Sequence, residues 1–220
     1  MHETRVTVNG EQLLLDASGA LWWPHERTLV LADLHFEKGS SLARRGVLLP
    51  PYDTRATLAR AAERIRHYAP ARVIALGDSF HDRDGADRLD EADRAHLAHL
   101  GAGTEWIWIA GNHDPAPPSW LGGRVAEEIA IGGLVFRHAP APTPAAGEVA
   151  GHLHPCASVT RRGRSLRRRC FVCDGARLLM PAFGAYAGGL DVRDAAVRAL
   201  FPARFLTYLL GMRRVYAVAG

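Results

Sequence analysis

The chain has 220 residues, 48% of them hydrophobic, with a formal net charge of +4 and a pI near 9.3. That is enough apolar material to bury a substantial core, so residues 1–220 are expected to form one domain. No apolar run reaches the roughly 18 residues of a membrane-spanning helix, and the mild basic excess permits an anionic partner without demanding one.

The amino terminus, Met1-His2-Glu3-Thr4-Arg5, lacks the apolar centre of a signal peptide, and a soluble, cytoplasmic protein is expected. Residues 5–8, 12–15, 20–23 and 28–32 are short apolar or alternating runs separated by Asn9-Gly10 and Ser18-Gly19, which predicts hairpin-linked strands. The fourth run ends in Asp33-Leu34-His35. A loop over residues 36–41 follows and contains Lys38, the single lysine of the chain. After Pro50-Pro51, Asp53-Thr54 is expected to cap a helix over residues 55–68, where Leu58, Ala61, Ala62 and Ile65 recur at helical spacing. Val73-Ile74-Ala75-Leu76 then reads as a buried strand that delivers Gly77-Asp78 to a sheet edge. A charged loop over 81–90 and a helix over 90–100 precede Trp106 to Ala110, which ends in Gly111-Asn112-His113-Asp114.

Beyond residue 125 the pattern is β again, over 125–131, 134–138, 157–160, 166–172, 178–180, 205–210 and 215–218. His138 ends one of these runs, and Val149 leads into Gly151-His152-Leu153-His154. The Ala/Pro-rich residues 139–147 are too few for an interdomain linker. Cys170-Phe171-Val172-Cys173 has CxxC spacing, but no second cysteine or histidine pair stands behind it. Cys170 is therefore read as a small core residue, and the odd total of three cysteines argues against a disulfide framework. Helices in the middle and strands at both ends predict an α/β protein of two facing sheets flanked by helices, with apolar strand ends gathered on one rim.

A single DxH or GD is a chance event, and an isolated His138 could be a core histidine. Four apolar runs, each ending in Asp, Asn or His, form a set. In an extended backbone, side chains i and i+2 point the same way, so Asp33 with His35, and His152 with His154, can each converge on one point. Oxygen and imidazole donors without thiolates suit Mn2+, Fe2+ or Zn2+. We expect two divalent metal ions, one held by Asp33, His35, Asp78 and His154, the other by Asp78, Asn112, His138 and His152, with Asp78 bridging. Two such ions outweigh two carboxylates and leave a cationic pocket for a phosphate. A water shared by ions roughly 3.5–4 Å apart is acidified towards a pKa of about 7, while the ions clamp the phosphoryl oxygens. His113 is the expected catalytic group that stabilises the transition state or protonates the leaving oxygen, with Asp114 orienting its ring. His81 and Lys38 are candidate substrate contacts; for His81 a solvated loop is the alternative.

The ordered set Asp33-x-His35, Gly77-Asp78, Gly111-Asn112-His113-Asp114, His138 and Gly151-His152-x-His154 resembles the calcineurin-like metallophosphoesterase superfamily. The stretches Asp33 to Ser41, Gly77-Asp78-Ser79-Phe80-His81-Asp82, Gly151 to Pro155, Met180-Pro181-Ala182-Phe183-Gly184 and Gly188-Gly189-Leu190 look like the bacterial DNA-ligase-associated metallophosphoesterases, also called ligase-associated DNA damage response endonucleases. This likeness spans nearly the whole chain. It implies a four-layer αββα sandwich of two mixed β-sheets, a manganese preference, hydrolysis of DNA phosphodiesters in repair, and functional association with a DNA ligase, helicase and nuclease. One departure is that Ser79-Phe80-His81 follows the GD pair, where related nucleases often carry a further acid.

If the substrate is nucleic acid, cationic side chains should track its backbone. Arg161, Arg162, Arg164, Arg167, Arg168 and Arg169 form the densest basic segment, and Arg44-Arg45 a second. Arg167 and Arg169 share one strand face and are the expected DNA contacts; the alternative is a charged edge strand guarded against aggregation. Phe80 and Trp120 could stack bases, although packing is the commoner fate of such rings. The expected function is a metal-dependent endonuclease on single-stranded DNA. Alternatives are a phosphodiesterase or phosphatase acting on a cyclic nucleotide or nucleotide-linked substrate, and a non-catalytic binding module with the same fold.

Overall fold

Short apolar runs joined by glycine turns build four strands, β1 (Thr4–Val8), β2 (Glu11–Leu15), β3 (Leu21–Trp23) and β4 (Thr28–Ala32), each antiparallel to the one before. The chain continues through α1 (Lys38–Ala43), α2 (Asp53–Tyr68), β5 (Arg72–Leu76), α3 (Gly85–Arg88), α4 (Glu91–Leu100), β6 (Glu105–Ile109) and β7 (Arg124–Ala126). Strands β4 to β7 are parallel neighbours, and their carboxyl ends lie level, Ala32 opposite Leu76 and Leu76 opposite Ile109. The second half supplies β8 (Glu128–Ile131), β9 (Leu134–Arg137), β10 (Glu148–Ala150), β11 (Cys156–Arg161), β12 (Arg164–Cys173), β13 (Arg177–Leu179), α5 (Ala195–Leu200), β14 (Leu206–Leu210) and β15 (Val215–Ala219). These strands form a sheet in the order β15-β14-β12-β13-β10-β9-β8, with β11 paired to β12. The computed structural model describes residues 4–143, 145–161 and 163–219.

The two mixed sheets face each other and helices cover their outer faces, which is the expected α/β sandwich in αββα layers. Val30, Ile74, Leu76, Ile107 and Ile109 of the first sheet pack against Phe136, Val149, Phe171, Leu178 and Met180 of the second. The alternate residues Leu29, Leu31, Val73, Ala75, Trp106 and Trp108 point outward under Leu58 and Ala61 of α2 and Leu97 and Leu100 of α4. Cys170, Val172 and Leu179 face Val197 and Leu200 of α5. Strands with both faces covered carry apolar side chains on both, which is why 73–76 reads as an unbroken apolar run. Cys170 is fully buried, as expected, and all three cysteines are free. Among the described residues no helix is long and apolar enough to cross a membrane.

Three elements depart from the sequence expectation. The run 125–131 is two strands in different sheets, β7 and β8, so Glu127 marks the crossing between them. Residues 38–43 are helical rather than a loop; Gly39, Ser40 and Ser41 are weak helix formers, and α1 depends on tertiary support. Asp53 and Thr54 are the first residues inside α2 instead of its cap. Both turn to that support: Gly39 N donates to Asp53 Oδ2 at 2.9 Å, and Thr54 Oγ accepts from Glu37 N and donates to Glu37 Oε1, each at 2.9 Å.

Phe136 lies between the sheets with no exposed surface. Phe136→Ala should lower the unfolding free energy by about 3–5 kcal/mol through lost burial and a residual cavity. Leu166→Ala, at a half-exposed position, should change it by less than about 0.5 kcal/mol. Urea melts of the two variants check this.

Candidate metal centre

Five strand ends meet on one rim. β4 runs into Asp33-Leu34-His35, β5 into Gly77-Asp78, β6 into Ala110-Gly111-Asn112, β9 into His138 and β10 into Gly151-His152. Nine described non-glycine residues have positive φ, and five of them are Asp33 (52°), His35 (45°), Asp78 (44°), His152 (69°) and His154 (46°). This corrects the extended-chain reading of the DxH and HxH spacings. Asp33 and His35 converge on one donor group because both sit in left-handed turns just past a strand, not because they share a pleat, whereas His152 and His154, also in left-handed turns, part to two different groups. Such a conformation costs of order 1–3 kcal/mol per residue and persists only where surroundings enforce it. Here they do: His35 N donates to Asp78 O at 2.9 Å, and Gly184 N to Asp33 O at 3.0 Å.

The donor atoms form two groups, Asp33-His35-His154 and Asp78-His138-His152, the atoms of each lying within 4.8 Å of one another. In the first, His154 Nε2 is 3.2 Å from Asp33 Oδ1 and 3.3 Å from His35 Nε2. In the second, His138 Nε2 faces Asn112 Oδ1 at 2.9 Å, His152 Nδ1 at 3.1 Å and Asp78 Oδ2 at 3.3 Å. One ring nitrogen carries at most one proton and cannot satisfy three acceptors. A cation satisfies all four lone pairs at once. Adjacent ligands on a metal with bonds of about 2.0–2.2 Å stand roughly 3.0–3.5 Å apart, the spacing seen here. Asp78 Oδ2 also lies 4.0 Å from His35 Nε2, between the two groups. The residues present thus fit two divalent cations.

Protonation states agree. Burial, with the neighbouring His154, lowers the His35 pKa to about 2, and burial with His138 lowers that of His152, leaving lone pairs for a cation. Burial alone would raise the Asp78 pKa, but the His138 ring and the His113 amide outweigh it and hold the carboxyl at about 2. Burial pulls the His138 pKa down, but the bond to Asp78 together with the charges of Asp33 and Asp78 outweighs it and moves it upward, the sign of an imidazole facing two carboxylates. Backbone amides orient both carboxylates: His113 N donates to Asp78 Oδ1 at 2.9 Å, and His152 N to Asp33 Oδ2 at 3.0 Å. Gly77 has φ of +74°, and a Cβ there would overlap the His138 imidazole; a Cβ on Gly111 would overlap the Asp78 carboxylate. Side chains are excluded at both positions so that the donors can close.

His113 stands at the open side of this cluster. Its Nε2 is 3.9 Å from Asp78 Oδ2, and its side chain is 39% exposed. Its Nδ1 lies 2.6 Å from the His81 carbonyl, which only accepts, so Nδ1 carries the proton and Nε2 faces the centre. The expectation that Asp114 orients this ring is corrected. Asp114 is buried, its Oδ2 accepts from Phe80 N at 3.0 Å, and burial followed by the Asp78 charge pushes its pKa up to about 7. It braces the turn after Asp78. His81 does line the site, with Nδ1 3.3 Å from His35 Nδ1 and its ring stacked on His113 at 5.1 Å. Burial and the Lys38 charge lower its pKa to about 4. Lys38 is half-buried, and burial lowers its own pKa against the pull of Asp53.

The expected DNA face of β12 is different from the sequence reading. Arg169 is mostly buried, and its Nη1 donates to the Ala182 carbonyl at 2.6 Å and to Phe183 O and Gly184 O at 3.3 Å. It is a clamp on the chain that buttresses Asp33, not a free contact. Arg167 is exposed and donates to Gly189 O. Arg162 lies outside the described residues, as do the side chains of Arg161 and Arg164. Phe80 is buried against Phe36 and Gly85 of α3, and Trp120 lies under the Arg94 guanidinium at 4.2 Å, so neither ring is open for stacking. Residues 182–184 were absent from the sequence-based site. Their signal was the apolar run of β13 ending in Pro181-Ala182-Phe183-Gly184 beside the same rim.

Gly77→Ala should weaken metal binding by at least about tenfold and lower stability by more than about 1 kcal/mol, because the added Cβ meets His138 at a positive φ. Metal content after dialysis and thermal unfolding measure the two effects. Wild-type values for both would contradict this geometry.

The Pseudomonas putida nuclease MPE crystal structure superposes with a TM-score of 0.79 at 29% identity, covering 99% of this chain and 100% of that one. Yfce, a phosphoesterase from E. coli, gives a TM-score of 0.42 at 13% identity, covering 87% of this chain and 98% of that one. No curated protein sequence matches. A family model described as calcineurin-like phosphoesterase matches residues 26–168, which contain every donor named above. The chain belongs to the calcineurin-like phosphoesterase family.

Proposed function

We propose that this protein is a phosphodiesterase dependent on two divalent cations, preferably manganese, and that it acts as an endonuclease on single-stranded DNA. Asp33, His35, His154 and Asp78 hold one cation, and Asp78, Asn112, His138 and His152 the other. The observation that carries the reading is the pair of donor groups meeting at Asp78, on a rim that leaves His113 open to a substrate. The nucleic-acid part is supported by the full-length likeness to a nuclease. We further propose that residues 1–220 act as one domain in the cytoplasm, in DNA repair alongside a ligase, helicase and nuclease.

When bound, the two cations acidify water and polarise the phosphoryl oxygens. The chain does the rest. The His113 and His152 amides fix the Asp78 and Asp33 carboxylates, so the donors need little reorganisation. The His81 carbonyl holds the His113 ring with Nε2 towards the reacting phosphate, where it stabilises the transition state or passes a proton to the leaving oxygen. Lys38 and His81 flank the phosphate on the side of α1.

With Mn2+ the purified protein should nick circular single-stranded DNA and hydrolyse an aryl phosphodiester, and a chelator should stop both. Asp78→Ala should abolish turnover together with metal retention. His113→Ala should keep its metal and lose about 10²- to 10⁴-fold in rate. Turnover in chelator, or an undiminished Asp78→Ala enzyme, would sink the mechanism; hydrolysis of cyclic nucleotides without nicking would sink the DNA assignment.

A further inference from the structure

A second charged cavity opens on the same rim. Leu15, the last residue of β2, pairs with Leu21 of β3, which pairs with Val30 of β4, so the turn after β2 lies at the end where β4 releases Asp33. On the other sheet Val172 pairs with Leu179, so the start of β12 lies at this end too, and the turn between β14 and β15 joins it. Between these turns and α2 lies a cavity of about 610 Å³ lined by Arg60, Arg64, Arg169, Arg213, Asp16 and Glu63.

Four arginines against two carboxylates leave a surplus of two positive charges. Both acids are committed to Arg64, through a 3.1 Å bond from Nη1 to Asp16 Oδ2 and a pair with Glu63. The surplus therefore rests on Arg60, Arg169 and Arg213, Arg169 contributing its charge while its Nη1 stays bonded to the Ala182–Gly184 carbonyls. Arg60 donates from Nη2 to Phe183 O and stacks on the Phe183 ring at 4.5 Å, while its buried Nε has no partner among the described residues. Burial, then the charge of Arg169, lowers the Arg60 pKa to about 10, so Arg60 stays protonated at neutral pH, and the two guanidiniums repel each other. An anion between them relieves that repulsion. The Ala182–Gly184 chain links this cavity to Asp33: Arg60 and Arg169 bond its carbonyls, and Gly184 N donates to Asp33 O.

We propose that this cavity is a phosphate subsite that holds the backbone of a polynucleotide strand at a distance from the scissile bond. The inference rests on the nucleic-acid reading above and adds where the strand runs: from the metal centre past Phe183 towards the turns at Asp16 and Arg213. Planar guanidiniums in a partly desolvated cavity bind phosphate through several donors at once, which an exposed lysine does not.

The test compares the manganese-loaded enzyme on oligothymidylates of about 4 and about 16 nucleotides, lengths bracketing a typical single-strand site. Wild-type kcat/KM should be about tenfold higher on the longer strand, through KM. In Arg213→Glu and in Arg60→Met that advantage should fall to within about twofold, and the salt dependence on the longer strand should lessen by about 0.7 in log–log slope per lost contact. Arg60→Lys should restore part of it. Because the readout is a ratio between lengths, general damage to folding cancels. A wild-type enzyme that cuts DNA without length preference, or variants that keep the wild-type ratio and slope, overturns the subsite while leaving the endonuclease intact. A wild-type enzyme that hydrolyses an aryl phosphodiester but cuts neither strand overturns the nucleic-acid reading, and the subsite falls with it.

Discussion

Burying Asp33 and Asp78 together at the seam between two sheets is the constraint that organises this fold. Both are almost wholly inaccessible, and a buried carboxylate without compensation is prohibitively unfavourable. Compensation crosses the seam. Asp33 comes from the first sheet and accepts the amide of His152 from the second; Asp78 comes from the first and meets the ring of His138 from the second. The sheets could not slide by one register step without stranding both charges. The apolar layer between them supplies most of the stabilising area, and the carboxylates set its alignment.

The same demand explains the backbone around the site. An extended strand would carry Asp33 and His35 away from each other's targets within a few residues, so the chain turns sharply as each strand ends. Left-handed φ at five donor residues is the cost. Repayment comes from hydrogen bonds that converge on the turns: His35 N and Phe36 N to the carbonyls of Asp78 and Ser79, Phe183 N and Gly184 N to those of Ala32 and Asp33. Arg60 and Arg169 then hold residues 182–184 from behind. The donors are thus supported by a layer of ordinary residues whose value lies in position alone.

How much of this could be read from the sequence follows from which signals are local. Apolar runs ending in Asp, Asn or His announce both a buried strand and its chemistry, so the sheets and the donors were legible. The crossing between β7 and β8 was not, because residues 125–131 carry no glycine, proline or turn signal, and the pair Glu127-Glu128 does not say that Ala126 and Glu128 belong to different sheets. The helix at 38–43 was hidden because Gly39-Ser40-Ser41 favours a loop until Asp53 and Thr54 arrive from elsewhere in the chain. Arg169 misled for a similar reason. Strand alternation placed it on one face with Arg167, but only the folded path of residues 182–184 shows that this face is covered there. His113 was legible as a residue, and its orienting partner was not, since a backbone carbonyl leaves no mark in a sequence.

Charge is distributed so that the centre and its surroundings do different work. The imidazoles of buried His35 and of half-buried His81 and His152 are held neutral by desolvation, so they add no positive field of their own. Attraction for an anion must then come from bound cations at the centre and from fixed guanidinium and ammonium groups around it. Those groups are not spread evenly. Lys38 stands on the α1 side, while Arg60, Arg169 and Arg213 gather beyond Phe183 on the other. A compact phosphomonoester would be served by the centre and its nearest neighbours. Positive charge continuing along the rim past a structural segment is useful only to a ligand long enough to reach it, and that asymmetry favours an extended polyanion over a small one.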